Sequence, residues 1–524
     1  MPIRDIPWYA WWKPLLVWGS IIALVMIGVI SLSVIVHRQW AEKERIRYPI
    51  AELAGSLLKQ DEHGIPGIFR NKIFWIGLLV PLFLRIVNGL YLWFPGSIEI
   101  PLKIDLGALR VKFPDFMKTP GASFFANLEF YPACIGFTYL LASEIGFSLG
   151  ISNFLSVFIM FALISIGMDV SGGQMTGGVM QWQNFGAFLA MAVMLAYVGR
   201  RYYWQTFRQA VTFRHQAETS PDSVWAFRAF LLSMIGTVAI LSFAGLDWPL
   251  ALLAVFLTML TYMVCARMNA ECGTFFFAPA WMMPGVIVGL FGLTTLGPTM
   301  VIVLGLIMFV LSIDQFESLM PYSVNAIKIT SDAECKPGRS GLVLAVTIVI
   351  VLAIAIPGIL WAEYNNRVET RRGTETAQIF DTAERTITQL SLSGRLDEVK
   401  SYTAWQRLSH MKPDSDFIYA AAIGFFLLLG CSALRLRYTW WPLHPVLILS
   451  FASGPLAKFC SSFFLGWMIK VAVNKFAGAQ KYTEMKPLMI GLIVGDLAGS
   501  FLVMSGNWIY YLITGTAGKS WLPW

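Results

Sequence analysis

The sequence predicts an all-α fold, a polytopic transmembrane helical bundle of roughly 12–14 spans, some of them broken or re-entrant. Three observations lead there. Of 524 residues, 56% are hydrophobic and only 13% charged, about half the charge of an ordinary soluble domain. Apolar runs approaching the roughly 20 residues that a bilayer core requires recur along nearly the whole chain. The basic residues gather in short connections between those runs, where they set orientation. A soluble protein with an outsized core does not explain so many separate runs.

The first run, Pro14 to His37, is too long for the apolar part of a secretory signal and lacks a small-residue cleavage site. It therefore reads as a retained helix. Further spans are expected at 73–94, 132–150, 151–170, 184–200, 225–245, 248–268, 276–296, 298–314, 341–361, 416–436, 458–474 and 487–514. The piece 441–456 contains Pro442, Pro445, Gly454 and Pro455 and reads as a re-entrant segment or half-helix.

Orientation follows from the basic loops. Segment 38–72 holds Arg38, Lys43, Arg45, Arg47, Lys59, Arg70 and Lys72; segment 199–228 holds Arg200, Arg201, Arg208, Arg214 and Arg228. The intervening spans put both on one side, which the positive-inside rule makes cytoplasmic. The chain then divides into a helical region 1–361, an external loop 362–415 and a C-terminal helical region 416–524, in a cell membrane. Within the loop, Ile379, Ala383, Ile387 and Leu390 recur at helical spacing, predicting a surface amphipathic helix that Ser391 to Gly394 ends. Aromatic clusters such as Trp8 to Trp12 and Trp508 to Tyr511 mark the ends of spans and suit the headgroup level.

The net charge of +8 belongs to those loops, and no basic face interleaved with aromatics predicts nucleic-acid binding. The six cysteines are scattered without a metal-binding spacing or disulfide framework. No nucleophile elbow, phosphate loop, zincin helix or paired catalytic carboxylates appears. The expectation is a non-enzyme without cofactor or metal, whose first partner is the lipid bilayer.

In such a chain the informative residues are the polar groups inside spans, each costing about 2.5–3.5 kcal/mol unless paired or wetted. Arg85 lies in the middle of 73–94 with Asn88 nearby. Glu144 lies within 132–150, and Asp169 opens a glycine-rich turn containing Gln174. Arg267 and Glu271 stand four apart where a span gives way to the broken run from Phe275 to Pro284. His444 lies between two prolines, and Asp496 sits among Gly491, Gly495, Ala498, Gly499 and Ser500. For each, a structural role stands beside a functional one: a buried ion pair, a helix cap or a satisfied core histidine, against a group on a solute or ion path.

Several segments resemble one family. The stretch Arg38-Gln39-Trp40-Ala41-Glu42-Lys43-Glu44-Arg45-Ile46-Arg47-Tyr48-Pro49 resembles the "R-Q-W-x-E-x-E-R-L-x-[FY]-P" stretch of prokaryotic membrane proteins similar to oligopeptide transporters. Arg267 to Gly273 is similar to their "R-x-x-A-E-x-G" motif, and Phe185 to Arg201, Leu319 to Lys328 and Trp441 to Pro445 add weaker matches. The resemblance implies a transporter-like fold. Members of that family carry additional helices before the "R-Q-W" span, so it also implies a partner chain that supplies them, or another homo- or hetero-oligomer. The Asn-Pro-Gly-Pro-Phe signature of true oligopeptide transporters is absent, so peptide substrates are implied less strongly than the fold.

The expected function is secondary transport of a small solute such as a peptide or metal chelate. Segments 171–186, 275–284 and 441–456 would build the site. Glu144, Asp169, Glu271 and Asp496 would be the coupling or binding acids, with Arg85 their counter-charge. The alternative is a non-transporting subunit or scaffold of a larger membrane complex.

Overall fold

The computed structural model describes residues 2–59, 64, 66–170, 172–173, 175–212, 220–312, 318–366 and 373–515. Among them, ten helices are long and apolar enough to cross a membrane. They are Trp8–His37, Lys72–Trp93, Ser143–Ser165, Val179–Val198, Pro221–Phe243, Trp248–Cys272, Pro337–Asn366, Ser415–Arg437, Gly454–Phe476 and Gly478–Thr514. The first continues into a π-helical turn, Arg38–Lys43. The rest of the expected apolar runs form shorter pieces, among them Pro132–Leu140, Met283–Phe291, Pro298–Leu311 and Val446–Leu449. The protein is an α-helical, multi-pass membrane protein. Its one sheet among the described residues is a pair of short antiparallel strands, Lys103–Asp105 and Asn127–Glu129, with Lys103 opposite Glu129.

The chain forms two interleaved compact units, one of residues 1–48 and 169–429, the other of 49–168 and 430–524. The last of the three boundaries along the chain falls inside Ser415–Arg437.

In the first unit, Trp248–Cys272 is the most enclosed long helix. It ends at Gly273, whose φ of 64° is a left-handed conformation that costs glycine little. The chain then runs without helix to Met282, so the expected span at 276–296 is in fact a non-helical stretch followed by Met283–Phe291. Asn184 holds that stretch by accepting from the Ala280 N–H at 3.0 Å, and Trp182, Phe185, Phe188 and Trp281 pack around it. Pro337–Asn366 lies at the opposite extreme, with none of its most apolar window buried. A helix that apolar and that exposed is suited to a lipid environment. Gly373–Leu392 is amphipathic, and its buried face is Ile379, Ala383, Thr386 and Leu390. Thr386, not Ile387, completes the stripe.

In the second unit, Lys72–Trp93 and Gly478–Thr514 run parallel and touch along their length. Gly77 meets Leu488, Gly495 meets Leu78, Gly499 meets Arg85 and Gly89 meets Val503. Backbones approach this closely only where side chains are missing. Pro132–Leu140 packs antiparallel to Gly478–Thr514, with Gly136 against Met489 and Ala133 beside Asp496. It runs parallel to Gly454–Phe476, with Tyr131 at Ser462 and Gly466 at Ile135. The chain reverses at Leu141 and Ala142, and Ser143–Ser165 returns antiparallel to Gly454–Phe476, with Gly146 at Trp467 and Gly150 at Phe464. The expected spans 132–150 and 151–170 are thus a nine-residue half-helix and one long helix. Gly150 is no break: it is where the backbone of Phe464 lies against the helix.

Candidate functional site

The half-helix Pro132–Leu140 organises the second unit. Pro132 has no N–H, so Ala133 supplies the first helical donor, and Asp496 Oδ2 accepts it at 2.9 Å. Asp496 Oδ1 accepts from Arg85 Nε at 2.5 Å, with the two side chains 1% and 8% exposed. The carboxylate therefore faces two positive charges, a guanidinium and the positive end of a helix. At the other end the buried Lys470 donates to the Leu141 carbonyl and lies 5.3 Å over the Tyr482 ring. An acid at the start and a base at the end both match the helix dipole.

Beside the ion pair is a cavity of about 340 Å³, lined among others by Arg85, Asn88, Tyr91, Glu129, Tyr131 and Lys458. Asn88 clamps its rim, donating to the Ile100 carbonyl and accepting the Ile100 N–H, each at 2.9 Å. The Tyr131 N–H donates to Ser462 Oγ at 2.9 Å, and Ser461 and Ser462 donate to the Glu129 carbonyl. Tyr131 OH donates to the Glu129 carboxylate. Burial first, then that hydrogen bond and the carboxylate's charge, hold the phenol above its ordinary range, so it stays a donor. Arg85 and Lys458 each lie 6.0 Å from the centre of the Tyr131 ring, within cation–π reach. The cavity thus offers cations, a carboxylate and an aromatic face within one small volume.

Other expected residues fall into separate groups. Glu144 pairs with Arg435 at 2.5 Å, both about one-third exposed. His444 donates its backbone N–H to Ser148 Oγ at 2.8 Å, and its Nδ1 accepts from the Val446 N–H at 3.1 Å. That imidazole caps a turn. In the first unit, Arg267 bridges Glu271 at 2.9 Å and Glu44 at 2.6 Å. The Tyr48 N–H donates to the Ala270 carbonyl at 3.1 Å. The "R-Q-W" and "R-x-x-A-E-x-G" stretches therefore fold onto each other. Asp169 is exposed in the same unit. Gln174 lies outside the described residues.

Sequence reasoning missed Glu44, Glu129, Lys458, Lys470 and Arg435. Glu44 stands inside the "R-Q-W" stretch, which is a signal for it; Glu129, Lys458 and Arg435 sit at the ends of apolar runs, where a charge draws no notice, whereas Lys470 stands inside the expected span 458–474 and carried the same signal as Arg85 and Asp496.

These features define a class, a polytopic helical membrane protein built on interrupted helices with a charged internal cavity. The chain belongs to the family of unknown function DUF6785, which matches residues 1–523. No curated protein and no solved structure matches it.

Proposed function

We propose that this protein is a secondary transporter of a small solute in the cell membrane, and that the cavity beside Arg85 and Asp496 is its binding site. The observation that carries the reading is the half-helix whose N-terminus meets a buried ion pair at the floor of a polar cavity. Transporters place solute sites where helices are discontinuous, because freed backbone groups and helix ends there can hold charge. An ion pair whose acid also caps a helix can be exchanged for a solute's own charges without leaving either partner bare. Cations and a carboxylate around an aromatic ring suit a solute carrying both signs, such as a peptide or a metal chelate. The resemblance to oligopeptide-transporter-like proteins points the same way. On the orientation set by the basic loops, the cavity opens outward.

The test is uptake by proteoliposomes holding the purified chain, with and without an imposed proton gradient. The reading predicts flux of at least one peptide, amino acid or chelate, falling at least about tenfold in Asp496→Asn. Absence of flux for every such solute, together with a stoichiometric complex that survives detergent, would favour the scaffold reading instead.

A further inference from the structure

The first unit carries a second cavity, of about 410 Å³, that the transport reading does not use. It is lined by Gln39, Lys43, Tyr197, Val198, Gly199, Arg200, Arg201 and Tyr202. Among the described residues lining it none is acidic, while three are basic. The two acids of the adjoining turn are directed to other partners. Glu42 pairs with Arg38 at 3.2 Å, and Glu44 takes Arg267 at 2.6 Å and Gln39 at 3.0 Å. The walls are held in place. Tyr202 OH is within 3.0 Å of both the Ile35 carbonyl and Ser223 Oγ, Lys43 lies 4.5 Å over the Tyr202 ring, and Arg200 lies 4.0 Å over the Tyr197 ring.

The position matters as much as the charge. The cavity stands where Val179–Val198, a helix fit to cross a membrane, passes through Gly199 into Arg200–Thr212. On that second helix Tyr202 and Thr206 are buried, while Arg201, Trp204, Arg208 and Val211 stand together on the exposed side. Cationic and aromatic side chains mixed on one exposed side suit the headgroup level of a membrane. Tyr197 and Val198 at the cavity edge are 66% and 59% exposed, an apolar continuation suited to acyl chains. The volume is that of on the order of a dozen waters, which leaves room for more than a lone phosphate.

We propose that this cavity binds the phosphate headgroup of an anionic phospholipid from the leaflet at that end of the helices. Basic pockets between helices at a membrane surface attract anionic lipid in proportion to the cations they present. The bidentate guanidinium of Arg200 or Arg201 matches phosphate geometry, while the exposed rings of Tyr197 and Trp204 suit the headgroup level. A soluble phosphate shares the headgroup chemistry but gains nothing from the apolar edge.

The experiment is native mass spectrometry of the full chain released from micelles containing equal phosphatidylglycerol and phosphatidylcholine of matched acyl chains. The proposal predicts that phosphatidylglycerol is retained at least about fivefold over phosphatidylcholine. In Arg200→Gln/Arg201→Gln the preference drops below about twofold, whereas Arg200→Lys/Arg201→Lys keeps most of it and reports that the fold is intact. Lys481→Gln/Lys486→Gln, which removes the same charge elsewhere, keeps the full preference. Equal retention of the two lipids by the wild type overturns the proposal. So does an equal loss in the Lys481/Lys486 variant. Displacement of the lipid by millimolar inorganic phosphate would assign the cavity to a soluble anion instead.

Discussion

Asp496 is the residue on which the second unit turns, because it pairs with Arg85 Nε and accepts the Ala133 N–H at once. Removing one partner of a buried pair leaves the other charge unpaired and costs about 3–5 kcal/mol, whereas replacing both with apolar groups of similar size can be neutral. Asp496→Leu should therefore lower the unfolding midpoint in detergent strongly, and Arg85→Met/Asp496→Leu should recover most of it. Both results are read from thermal melts. Glu398 gives a milder case, outside the helices fit to cross a membrane. Hydrogen bonds from Tyr402 first, then Arg395, hold its carboxyl below the ordinary range. A depressed carboxyl contributes stability above its unfolded value of about 4.3 and loses it as pH falls through the folded value. Hydrogen-exchange protection of residues 396–410 should thus decline below about pH 4 in the wild type and show no such step in Glu398→Gln. At this scale the sequence was readable where a charge was costly. Arg85 and Asp496 stood out because each sat in a long apolar run, and the structure joins them. Glu129 and Lys458 did not stand out, since at the end of a run a charge reaches water and carries no visible penalty.

At the scale of elements, the parallel contact of Lys72–Trp93 with Gly478–Thr514 depends on glycines at which an added Cβ would fall on backbone. At Gly495 it would meet the Leu78 carbonyl oxygen, and at Gly491 that of Phe74. Gly495→Ala should force the helices apart and cost about 1–3 kcal/mol. Gly506→Ala, on the same helix with open space around it, should cost nothing. Comparing the two melting midpoints checks this. The small residues around Asp496 signalled such an approach in advance. The reversal at Leu141 and Ala142 gave no comparable sign. Neither residue is glycine or proline, and hydropathy stays high through the turn, so the long run divided more naturally at Gly150. What marks the break is Glu144 in the first turn of the following helix, a helix-start signal inside an apolar run. Gly273 to Met282 was legible in part: glycine and proline interrupt the pattern there, but the apolar run still read as a span from 276 onward.

For the whole molecule, composition alone was enough to set the class, since so few charges over so many apolar runs admit little besides a helical membrane bundle. The interleaving of two units was not legible, because it depends on pairings between distant segments such as 72–93 with 478–514. Orientation can be checked through the cysteines. Of the six, all free, Cys335 is exposed and the others are buried. The basic loops put Cys335 on the cytoplasmic side, one span before the loop 362–415. A membrane-impermeant maleimide should label Cys335 only after permeabilisation, whereas Ser393→Cys in a Cys335→Ser background should be labelled in intact cells. The reverse pattern would invert the topology and turn the charged cavity toward the cytoplasm.

A wet solute site at Arg85 would show itself in the reactivity of a cysteine placed in the cavity wall. Tyr91→Cys in the Cys335→Ser background should react with an impermeant thiol reagent from outside. A transported solute at ten times its Kd should slow that reaction about tenfold. A Tyr91→Cys that never reacts, or that reacts at a rate no transported solute changes, would rule out a solute site in this cavity.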